Sequence, residues 1–170
     1  MAENKRENLG NQSANTLAEL DQFDQSILVA LAQDGRISIT DLATRIGLSK
    51  SPTQARLRRL ESTGVIMGYR ALFDPIFLGL DHVAFVEVRL TDTRKAALAA
   101  FNEAVQGIPE IEQAHMIAGN CDYLLKVRTR DMSHFRTFLG DVVSNMPHVA
   151  TTSSSVAMEA VKEVMAPTVE

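Results

Sequence analysis

From Leu17 onward the apolar residues recur with a helical period. Leu20, Phe23, Ile27, Leu28 and Leu31 fall on one side at spacings of three and four, and Asp21 and Asp24 stand near the N-terminal end, where a helix dipole favours anions. The pattern predicts a first helix, ended by Asp34-Gly35. Ser38, three residues before Asp41, reads as a box-like N-cap, with Ile37 and Leu42 placed as a hydrophobic staple, for a second helix that closes at Ile46. Gly47 is the expected left-handed stop, and Leu48-Ser49 leads into a third helix. There Ser51 is the predicted N-cap, Pro52 takes the first helical position, Gln54 stands three residues after the cap, and Gly64 ends the run.

Past Gly64 the period becomes two. Val65 to Phe73 reads as extended, and Asp74-Pro75 with Gly79 as a linker. Between His82 and Leu90, Ala84, Val86, Val88 and Leu90 share one face, which marks a half-buried strand. Asp92 is placed to cap a helix carrying Leu98, Phe101 and Val105, stopped by Gly107-Ile108-Pro109. Strands are predicted at Ile111 to Ala118 and Tyr123 to Arg130, around the tight Gly119-Asn120-Cys121-Asp122 connection. A helix carrying Phe135, Phe138, Leu139, Val142 and Val143 follows, and a last strand lies between His148 and Val164. The order β-α-β-β-α-β describes a ferredoxin-like sandwich, four antiparallel strands with two helices on one face, so the fold class is α+β. Residues 1–16, polar apart from Leu9, are expected to form a disordered tail.

The third helix carries the chemistry. Leu57 and Leu60 define its inward side, so an advance of about 100° per residue turns Ser51, Ala55, Arg58, Arg59 and Ser62 outward. Helix, short turn, helix is the unit that lays its second helix in the major groove of DNA. Arginine can bond bidentately to guanine, a glutamine amide suits adenine, and small residues let the backbone approach base edges. Ser51, Gln54, Ala55 and Arg58 are therefore the candidate base contacts; Arg45, Lys50, Arg56 and Arg59 are the candidate phosphate contacts, which position without reading sequence.

The charge balance changes meaning once it is divided. The whole chain carries -4, which argues against a uniformly basic coat protein. Yet seven Lys or Arg (36, 45, 50, 56, 58, 59 and 70) face two acids (Asp41 and Glu61) between Arg36 and Arg70, a local +5 that leaves -9 for the remainder. A basic module beside an acidic partner domain is the expected footprint of DNA binding, against the blander reading of a solvated helix face. Hydrophobic residues at 45% and charged residues at 22% exclude a disordered or collagen-like chain. Cys121 alone makes no internal disulfide, the N-terminus lacks a basic-then-apolar secretory pattern, and no apolar run reaches 18 residues, so the expected compartment is the cytoplasm, with no membrane contact.

The segment LDQFDQSILVALAQDGRISITDLATRIGLSKSPTQARLRRLESTGVIMGYRALFDPIFLGL resembles the N-terminal half of the Lrp/AsnC transcription regulators. AGNCDYLLKVRTRDM and VAMEAVKE extend the resemblance over about residues 20–165, and HMIAGNCDYLLKVRTRDM resembles the regulators of proline catabolism. The resemblance implies a winged helix-turn-helix over residues 17–66, an extended strand and linker over 67–80, a ferredoxin-like effector-binding and dimerisation domain over 81–165, and a tail over 166–170. It also implies a sequence-specific regulator that binds double-stranded DNA and responds to an amino acid, proline or another, as a homodimer that assembles to tetramers or octamers. Gly119, Asn120, Cys121, Asp122 and Tyr123 would line the effector pocket at the dimer interface, with Thr152 and Ser154 facing it from the partner side. The turn can offer backbone N–H groups to a carboxylate and Asp122 can take an ammonium, although Asp122 and Gly119 equally suit a plain hairpin turn. Many relatives carry an aromatic residue where this chain has Cys121, which implies a smaller or differently shaped pocket.

Other features point away from catalysis. His82, His115, His134 and His148 share no i, i+3 or i+4 spacing and Cys121 joins none of them, so neither a metal site nor a cofactor is expected. Seven methionines suit gap filling, and the Ser/Thr run from Thr151 to Ser155 suits a strand. The chain is expected not to be an enzyme. The competing readings are a small ferredoxin-like enzyme using Asp122, His115 or Cys121, and an effector-binding module that does not bind DNA.

Overall fold

The computed structural model describes residues 20–163. The expected tails over 1–16 and 166–170, and the first residues of the helix predicted from Leu17, lie outside the described residues. The chain divides between Ala71 and Leu72 into two compact units.

The first unit holds α1 (Gln22–Gln33), α2 (Ile39–Ile46) and α3 (Lys50–Ser62). Helix α1 starts after Asp21, which forms a reciprocal capping box with Asp24: the Asp24 N–H donates to Asp21 Oδ1 at 2.9 Å and the Asp21 N–H to Asp24 Oδ2 at 3.2 Å. In α2, Ser38 Oγ accepts from the Asp41 N–H at 3.1 Å, and Gly47 ends the helix at φ 73°. Ile27, Ala30, Leu42 and Leu60 form the centre of the core, with Leu31, Ile37, Ile46 and Leu57 packed around it. Each fully buried Ile or Leu contributes about 1.5–3 kcal/mol over the exposed state.

Two local expectations change. Helix α3 begins at Lys50 with Ser49, not Ser51, as its N-cap residue. Ser49 is still extended and helical dihedrals resume at Lys50, so Pro52 falls at the third position, where a missing N–H still costs no intrahelical bond. The extended segment predicted over Val65 to Phe73 forms no strand, because no neighbouring strand pairs with it among the described residues. Instead the Ile66 N–H donates to the Leu60 carbonyl at 3.0 Å, closing the end of α3.

The second unit runs β1 (His82–Leu90), α4 (Lys95–Gln106), β2 (Ile111–Met116), β3 (Tyr123–Thr129), α5 (Met132–Asp141), a 3-10 turn (Val143–Asn145) and β4 (Val149–Val156). The sheet order is β2-β3-β1-β4 with every pairing antiparallel, the ferredoxin-like arrangement. Ala84, Val86 and Val88 of β1 meet Tyr123, Leu125 and Val127 of β3, and Phe101, Phe135 and Phe138 of the helices cover that face. Phe85, Glu87 and Arg89 alternate onto the other face. Asp92 does not cap α4: its Oδ1 accepts from the Arg94 N–H at 2.9 Å, a turn that delays the helix to Lys95. Val142 and Val143 fall beyond α5, whose last turn tightens into the 3-10 segment.

Acidic caps and ion pairs support both units. Asp131 Oδ1 accepts the His134 N–H at 2.7 Å, and this bond holds its carboxyl below the usual carboxylate range. Burial alone would raise Glu112, but Arg128 and Lys126 outweigh it and bring that carboxyl down. Asp21 is lowered by the Asp24 N–H and by Arg56. A depressed carboxyl contributes stability above its unfolded value, and this is lost as pH falls through the folded one. With ordinary values of 3.8 for Asp and 4.5 for Glu, the melting temperature should be nearly level from about pH 7 to 5 and fall steeply below about pH 4, as differential scanning calorimetry will read.

Candidate functional site

Helix α3 turns two flanks to different tasks. Thr53 and Leu60 are wholly buried, Leu57 partly so, and this side packs on the core of the first unit. Ser51, Gln54, Ala55, Arg58 and Ser62 are all exposed. Because Ser49 takes the N-cap position, the Ser51 hydroxyl is left on the outer face.

The basic residues divide as well. Arg56 does not stand free as a phosphate contact: its Nη1 lies 2.6 Å from Asp21 Oδ2 and 3.0 Å from Asp24 Oδ1, and its guanidinium sits 5.4 Å above the centre of the Phe23 ring. Those two hydrogen-bonded carboxylates push the Arg56 pKa above its ordinary range. Arg59 Nη2 bonds Asp24 Oδ2, while about half of its side chain remains exposed. Asp24 itself is fully buried, on the inner stripe of α1 one turn before Ile27. Arg45 bonds the neutral Gln33 Oε1. Among the described residues Arg45, Lys50 and Arg58 have no carboxylate partner, so of the predicted DNA contacts they are the cations whose charge is least compensated.

Tyr69 lies behind this surface, with its hydroxyl donating to Glu61 Oε1 at 2.9 Å; burial and then the Glu61 carboxylate push its pKa up to about 12. A groove of about 320 Å³ runs between α1 and α2, lined by Gln22, Gln25, Ser26, Val29, Arg45 and Ile46 among others.

In the second unit, Gly119, Asn120, Cys121 and Asp122 form the connection between β2 and β3. Gly119 and Asn120 are exposed, and Cys121 is buried. Burial first, and then Glu87, raise the Cys121 pKa, which keeps it a protonated thiol and a poor nucleophile. Asp122 Oδ2 accepts the Leu90 N–H at 2.8 Å and the Asp122 N–H donates to the Val88 carbonyl at 2.9 Å, so this residue carries the β1–β3 ladder past the end of β3. The hairpin role of Asp122 is thus realised through its side chain.

Tyr123 departs from the pocket expectation. Its ring is 2% exposed, 4.4 Å from Phe101 between centroids, and its hydroxyl donates to Asn102 Oδ1 at 2.8 Å. It is a core residue beneath the turn, turned away from any ligand arriving from solvent. Thr152 pairs with Val88 and Ser154 with Val86 on the far side of β1 from β3. One strand thus separates them from the 119–122 turn, roughly 10 Å at the usual strand spacing, and a single copy does not bring the two sets together. Among the described residues no group of three or more His, Cys, Asp or Glu is placed to hold a metal ion. No helix among them is long and apolar enough to cross a membrane.

Comparison with known proteins agrees with this division. Residues 20–67 match the family model for winged helix-turn-helix DNA-binding domains, and residues 83–167 match that of the Lrp/AsnC ligand binding domain. The chain is 54% identical over 145 residues to a proline dehydrogenase transcriptional activator of Rhizobium radiobacter, covering 85% of this chain and 93% of that one. It is 43% identical to the leucine-responsive regulatory protein of Escherichia coli K12, over 85% of this chain and 88% of that one. Among solved structures, a transcriptional regulator of Neisseria meningitidis in complex with L-Met superposes with a TM-score of 0.81 at 32% identity, covering 86% and 94% of the two chains. An AsnC family regulator of Agrobacterium tumefaciens gives 0.83 at 30% identity over 88% and 97%.

Two glycines in these turns differ in what they require. Gly47 is held at φ 73°, a left-handed conformation that costs a side-chain-bearing residue about 1–2 kcal/mol. Gly119 has no positive φ, and a β-carbon added there would meet nothing within 4 Å. In urea titrations Gly47→Ala should lower the unfolding free energy by about 1 kcal/mol, while Gly119→Ala should leave it unchanged.

Proposed function

Because the chain belongs to the Lrp/AsnC family of transcription regulators, we propose that it is a sequence-specific DNA-binding regulator whose response is set by an amino acid. The observation that carries this reading is the outer flank of α3, where Ser51, Gln54, Ala55 and Arg58 are exposed side by side on a helix that follows a three-residue turn. Arg58 and Gln54 supply base-edge bonds, and Ser51 and Ala55 allow close approach; Lys50 and Arg45, with the exposed half of Arg59, hold phosphates.

The domain roles follow: residues 17–66 read DNA, 67–80 link, and 81–165 bind effector and dimerise. The effector site is the 119–122 turn, completed by Thr152 and Ser154 of a second copy. Its backbone N–H groups suit a carboxylate, and proline is the first amino acid to try, because a 54% identical relative is a proline dehydrogenase transcriptional activator. This reading places the protein in the cytoplasm and assigns it no reaction. A second copy is supported by Leu72, Phe73, Ile76, Phe77 and Leu78, which are 58–91% exposed and form an apolar segment that a monomer leaves in water.

Three experiments test this reading. In band shifts with DNA from upstream of its own gene, affinity should fall as a power of salt concentration, and Arg58→Ala should cost about 1–3 kcal/mol on the preferred sequence. Proline at about 100 times its dissociation constant should raise the unfolding free energy by about 2.7 kcal/mol. A panel of amino acids that leaves the melt unmoved would remove the effector from the proposal. In light scattering the protein should exceed twice its monomer mass of 18.6 kDa or equal it, and Phe77→Ser should shift the population toward monomer.

A further inference from the structure

The unusual feature of the first unit is a wholly buried carboxylate that belongs neither to the outer face of α3 nor to the apolar core. Asp24 uses both oxygens. Oδ1 accepts from Arg56 Nη1 at 3.0 Å, and Oδ2 accepts from Arg59 Nη2 and from the Asp21 N–H at 3.2 Å. Arg56 and Arg59 stand three residues apart, so they leave α3 from neighbouring points of one flank and converge on a single acceptor group. An attachment at two points resists rotation of the helix about its own axis, which a single hydrogen bond or the apolar contact of Ile27 with Leu60 does not. Hydrophobic packing is non-directional, whereas a carboxylate held between two guanidinium forks has a fixed geometry.

We infer that Asp24 is a positioning residue for sequence reading: by clamping Arg56 and Arg59 it fixes the rotation of α3, and so decides which residues of the outer flank meet base edges. This rests on the DNA-binding reading above. A rotation of one residue step, about 100°, would replace Arg58 and Ala55 at the groove by their neighbours, and smaller errors suffice to spoil a bidentate contact. Phosphate contacts carry no sequence information, so binding through them does not depend on which residues of the flank meet base edges. The clamp should therefore govern the preference among sequences and leave general affinity for DNA in place.

The test compares full-length wild type with Asp24→Asn and Arg56→Gln. Wild type is first used to select duplexes from a random-sequence pool; affinity is then measured for the selected duplex and for a scrambled one across a salt series, well below each melting temperature. Asp24→Asn should reduce the ratio of selected to scrambled affinity at least tenfold. The salt dependence on scrambled DNA should steepen, by at most about 0.9, because Arg59, shared with Asp24 in the wild type, is released wholly to a phosphate. A residue that merely supports folding would move the melting temperature and neither of these readings. Arg56→Gln, which keeps the Arg59 pair, should lower the ratio with the salt slope unchanged; this arm decides the matter if Asp24→Asn does not fold. Ratios within twofold of wild type in the folded variants, or a slope that drops by about 0.9 in Arg56→Gln with the ratio preserved, would overturn the clamp and make Arg56 a phosphate contact. If wild type selects no sequence, the DNA-reading assignment itself falls, an outcome distinct from the loss of the clamp alone.

Discussion

A carboxylate taken out of water must find its compensation inside the protein, and in the first unit Asp24 finds it in two arginines of the helix that faces outward. Charges buried without partners cost several kcal/mol, and removing one member of a buried pair typically costs about 3–5 kcal/mol. The presence of Asp24 therefore dictates where Arg56 and Arg59 point, and their direction in turn dictates the flank left to solvent. Four basic residues lie on α3, but they are not four equivalent cations. Arg56 is committed to α1, Arg59 is shared, and Lys50 and Arg58 are left for an anionic partner. The local excess of five positive charges between Arg36 and Arg70 thus overstates what the surface presents, since it does not count Asp21 and Asp24, which lie outside that window and neutralise part of it.

The second unit obeys a different constraint, the pleat of its central strand. Val86 and Val88 are wholly buried between neighbours on both sides, so β1 has no freedom of register, and the loop after β2 must close against the end of that strand. Asp122 performs the closure with one backbone and one side-chain bond, which leaves Gly119 and Asn120 exposed and the thiol of Cys121 covered. The same edge of the fold that shapes the turn withholds Thr152 and Ser154 from it, because β1 intervenes. A pocket using both sets has to draw them from two chains.

Much of this was legible in the residues. The helical period up to Gly64 and the alternation in β1 carry the elements of the two units, the order of strands and helices names the sandwich, and Gly47 announces the left-handed turn that the structure has. What was misread shares one cause, the competition of equally good local signals. Ser49 and Ser51 both suit a cap by residue type, and the helix starts after Ser49, whose side chain makes no capping bond. Asp92 and Arg94 compete for the start of α4 in the same way. The resemblance groups Tyr123 with the turn it follows, whereas alternation with Leu125 and Val127 puts it on the core face. Asp24 carries the most informative signal, although by position alone it is a charge at a helix N-terminus. An acid on the same stripe as Ile27 and Leu31, in a unit that also contains Arg-x-x-Arg on its third helix, is an unfinished ion pair waiting for its partners.

The clamp also limits how an effector can act. A ligand shifts an equilibrium only by binding one state better than another, and a change in DNA affinity requires those states to present α3 differently. Within the first unit α3 is tied to α1 by charge and by core packing, so reorienting it there would expose a buried carboxylate and break both of its pairs. Moving whole units as rigid bodies costs no such rupture, and oligomeric regulators commonly switch in that way. In a dimer, the distance and angle between two intact α3 helices can then change while each keeps its reading face. If Asp24 and its arginines set the sequence preference of one reading helix, an amino acid acting on a dimer would have to change the spacing of two such helices.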